Sequence, residues 1–522
     1  GSAQQMWYHC AMPTSRRQWL QQAGSALALA SSTPLWMPAW VRHARAADLP
    51  RFALGVASGH PRPDSVVLWT RLSGTDLPDR VEVSWELASD ERFEQVVQQG
   101  VEVAESAWGH SVHVQPQGLA ASRPYWYRFR ALGDQSRTGR TRTAPSPDSL
   151  ATLRFAIASC QRWDYGHYAA WRDITAFDPD LVLFLGDYIY EYPTAVGAVR
   201  PVQGGRVETL QDFRDRYALY KSDPLLQDAH AQCPWLVVWD DHEVENDYAG
   251  MQSERLSPQF ALRRAAAYQA YWEHMPFPKS ARPQGHDMRI YGHLDWGRLA
   301  RVLMLDDRQY RDAQVCPRPG RGGSSTVALR DCPELMNPQR TLLGAEQEQW
   351  LARSWSTQHP WNLLAQQTLM ARLAGRNRQG DVTYWTDGWD GYAPARNRLL
   401  GTAAALKVPG LVALGGDVHA HYVAQLKADY DDPRSPIVGA EFCGTSISSR
   451  GPAQSRLDAA RADNPHLLVA NATRRGSVHF ILDAHTLQAD LRAVDDARQV
   501  NSPVRSAGRF VVESGRPEVH PA

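Results

Sequence analysis

Apolar positions along this chain follow two different rules. Between about Pro50 and Pro147 they alternate with polar ones at period two. Ser65–Arg71, Val81–Leu87, Ser111–Gln115 and Tyr125–Arg130 all read this way, with turn residues between them at the spacing of a β-sandwich. From Leu153 onward the apolar residues come in unbroken runs instead: Leu153–Ala158, Leu181–Leu185, Trp235–Trp239, Arg301–Leu305 and Leu411–Leu414. Runs of that length bounded by turn residues predict strands buried on both faces. Helical stretches fall between them at Tyr168–Phe177 and Phe260–His274, and another opens at Gly344–Leu351. Val478–Leu482 and Leu487–Leu491 read as late strands. The five continuous runs predict one α/β sheet, preceded by a small all-β unit.

Domain limits follow from the same pattern. Residues 47–148 form the expected N-terminal β-sandwich, closed by the proline-rich hinge Thr143–Asp148, and residues 149–522 the α/β domain. Gly118-Leu119 leading to Pro124-Tyr125-Trp126-Tyr127 resembles the tyrosine corner of fibronectin- and immunoglobulin-like sandwiches. Residues 1–46 are set apart. Ser15-Arg16-Arg17 precedes a modestly apolar stretch from Ala23 to Val41, and Ala44-Arg45-Ala46 offers a small-residue cleavage site. That order resembles a bacterial twin-arginine export signal and implies the export machinery as a partner and a periplasmic or secreted location. Pro34 and Pro38 interrupt the apolar stretch, so no stable membrane anchor is expected.

Charge changes the picture by exclusion. Lys+Arg and Asp+Glu are both 56, so there is no global pull toward nucleic acid, and no specific nucleic-acid partner is expected. Six cysteines in 522 residues do not make a disulfide scaffold. Two of them, Cys316 and Cys332, flank the Gly-rich loop Pro317–Asp331, which they would close in an oxidising compartment.

Chemistry gathers at the ends of the apolar runs. The first ends in Ser159-Cys160-Gln161 and the second in Gly186-Asp187 with Tyr190 shortly beyond. The third ends in Asp240-Asp241-His242-Glu243, the fourth in Asp306-Asp307-Arg308, and the fifth in Gly416-Asp417-Val418-His419. In open α/β sheets ligands bind beyond the carboxyl ends of strands. Each residue also has a plain structural alternative: Cys160 and Tyr190 as core, Asp241 and Asp417 as helix N-caps, and His419 as a satisfied histidine. Their repetition at five strand ends favours a metal site.

Taken together, Phe52–Pro61, Ala158–Gln161, Gly186–Glu191, Trp239–Val244, Asp306–Arg311, Trp389–Tyr392 and Gly416–His419 resemble the PhoD-type alkaline phosphatases of the metallophosphoesterase superfamily. The resemblance implies a four-layer αββα sandwich behind the β domain, a multinuclear metal site and hydrolysis of phosphate esters by a metal-bound hydroxide. A thiolate from Cys160 with a phenolate from Tyr190, Asp187 and His419 suits a highly charged transition metal, and the family implies one ferric ion. Asp187, Asp241 and Asp417 offer hard oxygens for one or two calcium ions, magnesium being the alternative, with Asn246 a further donor. By resemblance His242 donates a proton to the leaving alkoxide or stabilises charge on the phosphoryl oxygens. Arg308 is suited to hold phosphoryl oxygens, with an ion pair to Asp306 or Asp312 as its structural alternative. Trp385 and Trp389–Tyr392 would wall the entrance or simply pack. Monoesters, diesters and phospholipids all remain open as substrates, as does a non-enzymatic exported metal-binding protein.

Overall fold

The computed structural model describes residues 50–522, and the expected signal of residues 1–46, with Arg16 and Arg17, lies outside them. The apolar runs are strands, but they belong to two sheets rather than one. A ten-stranded sheet runs in the order Arg516–Pro521, Val504–Glu513, Thr486–Val494, Arg475–Leu482, Leu153–Ala158, Leu181–Leu185, Pro234–Val238, Val56–Gly59, Val67–Arg71, Ser111–Val114. A seven-stranded sheet holds Gly292–Trp296, Ala300–Met304, Trp361–Ala365, Leu411–Gly415, Ile437–Cys443, His421–Lys427 and Leu467–Asn471. Both sheets have a parallel centre buried on both faces, so their strands carry the same unbroken apolar signature and the pattern cannot assign them to different layers. Trp361–Ala365 escaped detection because Asn362 interrupts its apolar run; the amide is satisfied internally by Ser356 and Pro409 carbonyls.

The sheets pack face to face. Phe442 of one meets Phe480 of the other edge-on, with ring centroids 5.5 Å apart. Trp171, Tyr217, Leu226 and Tyr271, from helices Ala169–Phe177, Leu210–Lys221, Pro224–Gln232 and Phe260–His274, share that core. Helices Gly344–Ser354 and Ala393–Ala405 cover the seven-stranded sheet through Leu351, Leu399 and Leu400. The result is the expected αββα arrangement.

The N-terminal stretch is a sandwich, but it is not separate. Val96–Glu105, Arg80–Ala88, Pro124–Ala131 and their short partners form one sheet, which buries Val83, Tyr127 and Phe129 against Val56, Leu68 and Val112. Those last three residues lie on strands of the ten-stranded sheet, because Val56–Gly59 pairs in parallel with Pro234–Val238. The sheet therefore runs through the boundary drawn at residue 148. Tyr125 makes the expected corner: its hydroxyl accepts from the Ala120 N–H at 3.0 Å. Cys316 and Cys332 are joined, as the loop between them suggested.

This shared sheet makes stability depend on acid. His113 stacks on Trp272 at 3.8 Å, and its Nδ1 bonds the Phe277 carbonyl while Nε2 is buried without a partner. Burial pushes His113 down to about 3 and nearby His60 down to about 4. Both are therefore neutral when folded, whereas the unfolded imidazoles bind protons below their ordinary value near 6.5. Stability is thus retained above that value and lost as pH falls through it, by about 1.4 kcal/mol per pH unit per histidine at the steepest. Urea unfolding between pH 6.5 and 4 should show His113→Gln with a shallower fall than the parent; equal slopes would count against this account.

Candidate metal centre

Four of the six expected ligands sit in backbone conformations that side chains seldom adopt. Cys160 (φ 58°), Asp187 (φ 59°), Asp417 (φ 64°) and His419 (φ 53°) are all left-handed. Such geometry costs on the order of 1 kcal/mol or more per residue and persists where the surroundings impose it. Here each residue ends or follows a central strand and must turn its side chain back across the sheet edge. Gly186 makes the turn before Asp187 possible, since a Cβ there would lie 2.4 Å from the Asp240 Cβ.

The two sheets bring these ends together. The ligating atoms of Cys160, Asp187 and His419 lie within 4.8 Å of one another. Tyr190 completes the group: its hydroxyl donates to Asp187 Oδ2 at 2.7 Å and lies 3.2 Å from His419 Nε2. The Arg450 carbonyl takes His419 Nδ1 at 2.7 Å, which leaves Nε2 as the inward lone pair. A second group joins Asp187 to Asp241 and His242, so Asp187 is common to both. Asp417 lies beside these groups, with Oδ2 accepting from the Thr368 hydroxyl at 2.8 Å.

The donor set fits multivalent cations. Burial, and then the Asp187 carboxylate, push the Cys160 thiol and the Tyr190 phenol well up. Burial also pushes the Asp187 and Asp417 carboxyls well up, although His242 and Arg308 respectively oppose it. These shifts all disfavour the charged forms, and a strongly charged ion is what would offset them. Asp241 Oδ1 and Asp240 Oδ2 are buried without hydrogen-bond partners, as oxygens reserved for a cation would be. His419 is pushed down to about 4 by burial and stays a neutral donor.

His242 is held in one orientation. Its Nδ1 bonds Glu191 Oε2 at 2.7 Å, and its ring lies against Tyr190 at 4.2 Å. Burial opposes the charged ring, yet the carboxylates of Asp241, Glu191 and Asp187 raise its pKa well above the ordinary value. Glu191 itself is opposed by burial but held down at about 2 by His242.

Arg308 is a correction. Its guanidinium is almost wholly buried and is used by acidic neighbours, with Nε 2.6 Å from Asp240 and a terminal nitrogen 2.8 Å from Asp387. It neutralises the carboxylates beneath the site instead of facing substrate, and neither Asp306 nor Asp312 is its ion-pair partner. Trp389 and Tyr392 are packed in the core rather than at an entrance. Asn246 donates its amide to Glu254, and its neighbour Asp247 instead forms a third acidic group with Asp241 and Asp387.

Sequence reasoning missed Asp387, Glu191 and Glu243. Glu243 accepts from the backbone N–H groups of Asp187 and Asp240 and so ties two strand ends together. The signal for Glu191 and Glu243 was present, since both lie within the quoted strand-end motifs, but acids there are indistinguishable from ligands until their partners are seen.

A family model described as PhoD-like phosphatase matches residues 155–491, and one described as PhoD-like phosphatase, N-terminal domain, matches residues 38–145. Alkaline phosphatase D of Bacillus subtilis (strain 168) is 42% identical over 481 residues, covering 88% of this chain and 81% of its own. A solved structure of PhoD superposes with a TM-score of 0.84 at 40% identity, over 91% of this chain and 92% of that one. The purple acid phosphatase PPD1 from yellow lupin (Lupinus luteus) has a TM-score of 0.56 at 11% identity, over 88% of this chain and 74% of its own, and shares the fold.

Proposed function

The chain belongs to the PhoD-like phosphatase family, and on that premise we propose that it is an exported, metal-dependent hydrolase of phosphate esters. The observation that carries this reading is the gathering of Cys160, Asp187, Tyr190 and His419 at one sheet edge, with Asp241 and His242 joined to them through Asp187. We assign the thiol, phenol and imidazole set to one ferric ion. The oxygens around Asp241 are assigned to calcium, with magnesium as the alternative. Bound there, the ions would supply activation of water and neutralisation of charge on the phosphoryl oxygens.

The chain's own residues do the rest. Glu191 fixes the His242 ring through Nδ1, so Nε2 is the nitrogen left to deliver a proton to the departing oxygen. Arg308 and Arg311 hold Asp387, and Arg308 also holds Asp240, so the acidic groups keep their places despite mutual repulsion. The test uses purified protein with p-nitrophenyl phosphate and bis(p-nitrophenyl) phosphate. Hydrolysis of at least one is expected, falling roughly 100-fold or more after chelation and returning with added metal. A protein inert toward both esters when loaded with iron and calcium would refute the assignment.

Export rests on Arg16 and Arg17 in residues 1–46. Among the described residues no helix is long and apolar enough to cross a membrane. Changing both arginines to lysine is expected to leave the protein in the cytoplasm, read by fractionation. Unaltered periplasmic accumulation of that variant would rule out the twin-arginine route.

A further inference from the structure

We infer that Arg450 binds a second anionic group on the substrate and so determines specificity, an inference that rests on the phosphoester reading above. The turn carrying Arg450 is clamped onto the metal ligands. Ser449 donates its hydroxyl to Tyr190 Oη at 2.8 Å, and the Arg450 carbonyl accepts from His419. Backbone position is therefore fixed by the centre itself, while the Arg450 side chain is exposed.

Its guanidinium lies over the Tyr165 ring, 4.3 Å from the centroid. Arg162 lies against the same ring at 4.1 Å and continues the wall inward, 5.1 Å from the Tyr192 ring and 5.6 Å from that of Tyr190. Tyr192 in turn meets His242 edge-on at 5.3 Å. The wall thus runs from Arg450 at the rim to the proton-carrying histidine.

The arginines of this wall are not equivalent. Arg162 is neutralised by Asp164 at 2.8 Å, and Arg206, 5.1 Å from the Tyr192 ring, is neutralised by Glu191 at 3.1 Å. Among the described residues no carboxylate pairs with Arg450, whose guanidinium rests only on Tyr165. Stacking holds the fork in place and strips water from one face without consuming its charge or its donors. A planar fork prepared in this way suits bidentate contact with a phosphate or carboxylate. The phosphoryl group undergoing hydrolysis belongs to the metal centre, so the anion met by Arg450 is another group on the same substrate. The favoured class is therefore an ester carrying a second phosphate or carboxylate near the scissile bond.

The experiment compares kcat/KM for a p-nitrophenyl nucleotide ester with and without a second phosphate on its sugar. The parent should favour the doubly charged ester, and Arg450→Ala should lower that ratio roughly tenfold, mainly through KM. Arg450→Lys should restore part of the ratio, with stronger dependence on salt, because a point charge replaces a fork. A ratio that is unchanged in Arg450→Ala, or an equal loss on both esters, overturns the inference and leaves the hydrolase reading standing. Hydrolysis of neither nucleotide ester by the metal-loaded parent overturns the inference, and the hydrolase reading falls with it only if p-nitrophenyl phosphate and bis(p-nitrophenyl) phosphate are left intact as well.

Discussion

Asp187→Asn is expected to lower kcat/KM for phosphate esters by roughly 10³-fold without unfolding the protein. Asp187 alone belongs to both close groups, so losing its charge weakens both sets of donors at once. Asparagine is among the few residues that accept the left-handed conformation at this position, where φ is 59°. Its amide oxygen can still accept the Tyr190 hydroxyl. In metal-free protein the substitution also removes one acid from a crowd that burial and neighbouring carboxylates already push toward the protonated form. The variant without metal should therefore melt no lower than the metal-free parent, while elemental analysis shows lost iron and calcium. Tyr190→Phe is the companion. It keeps the ring against His242 at 4.2 Å but removes the phenolate, so it should bleach or shift the charge-transfer colour expected of a ferric site. A colourless parent that hydrolyses esters at full rate would show that the first ion is not iron. Near-normal activity in Asp187→Asn would show that the two groups do not share a bridging acid.

His242→Gln should cost about 10²- to 10³-fold in kcat, and the cost should depend on the leaving group. A p-nitrophenolate departs without help, whereas an alkoxide needs a proton. The loss should therefore be largest on alkyl esters and small on p-nitrophenyl ones. Glu191→Gln keeps a hydrogen-bond acceptor for Nδ1 but removes the charge that holds the proton on His242, and should cost roughly tenfold with the same leaving-group trend. An equal loss on both ester types would assign His242 to charge stabilisation on the phosphoryl oxygens instead of proton delivery.

The strand-end positions of Cys160, Asp187, Asp241 and His419 were legible because an unbroken apolar run ending in a polar cluster has one economical reading in an α/β fold. The role of Arg308 was not. An arginine beside a metal site looks the same in sequence whether it faces substrate or carboxylates, and Asp387, the acid it holds, is 79 residues away. Glu191 and Glu243 were hidden in the same way, since hydrogen-bond partners more than fifty residues distant decide whether an acid ligates or supports.

By itself the sequence determined the strands that carry the unbroken apolar runs, the helix Phe260–His274, the β character of residues 50–148 and the residues that end those runs. These depend on side-chain periodicity and on turn residues acting over a few positions. Only the tertiary structure decided that the runs divide between two sheets, that the N-terminal sandwich shares the larger one, and that Arg308 serves Asp240 and Asp387. Those outcomes turn on which buried faces meet and which charges must be neutralised there. Local periodicity fixes that a face is buried, but not what it is buried against.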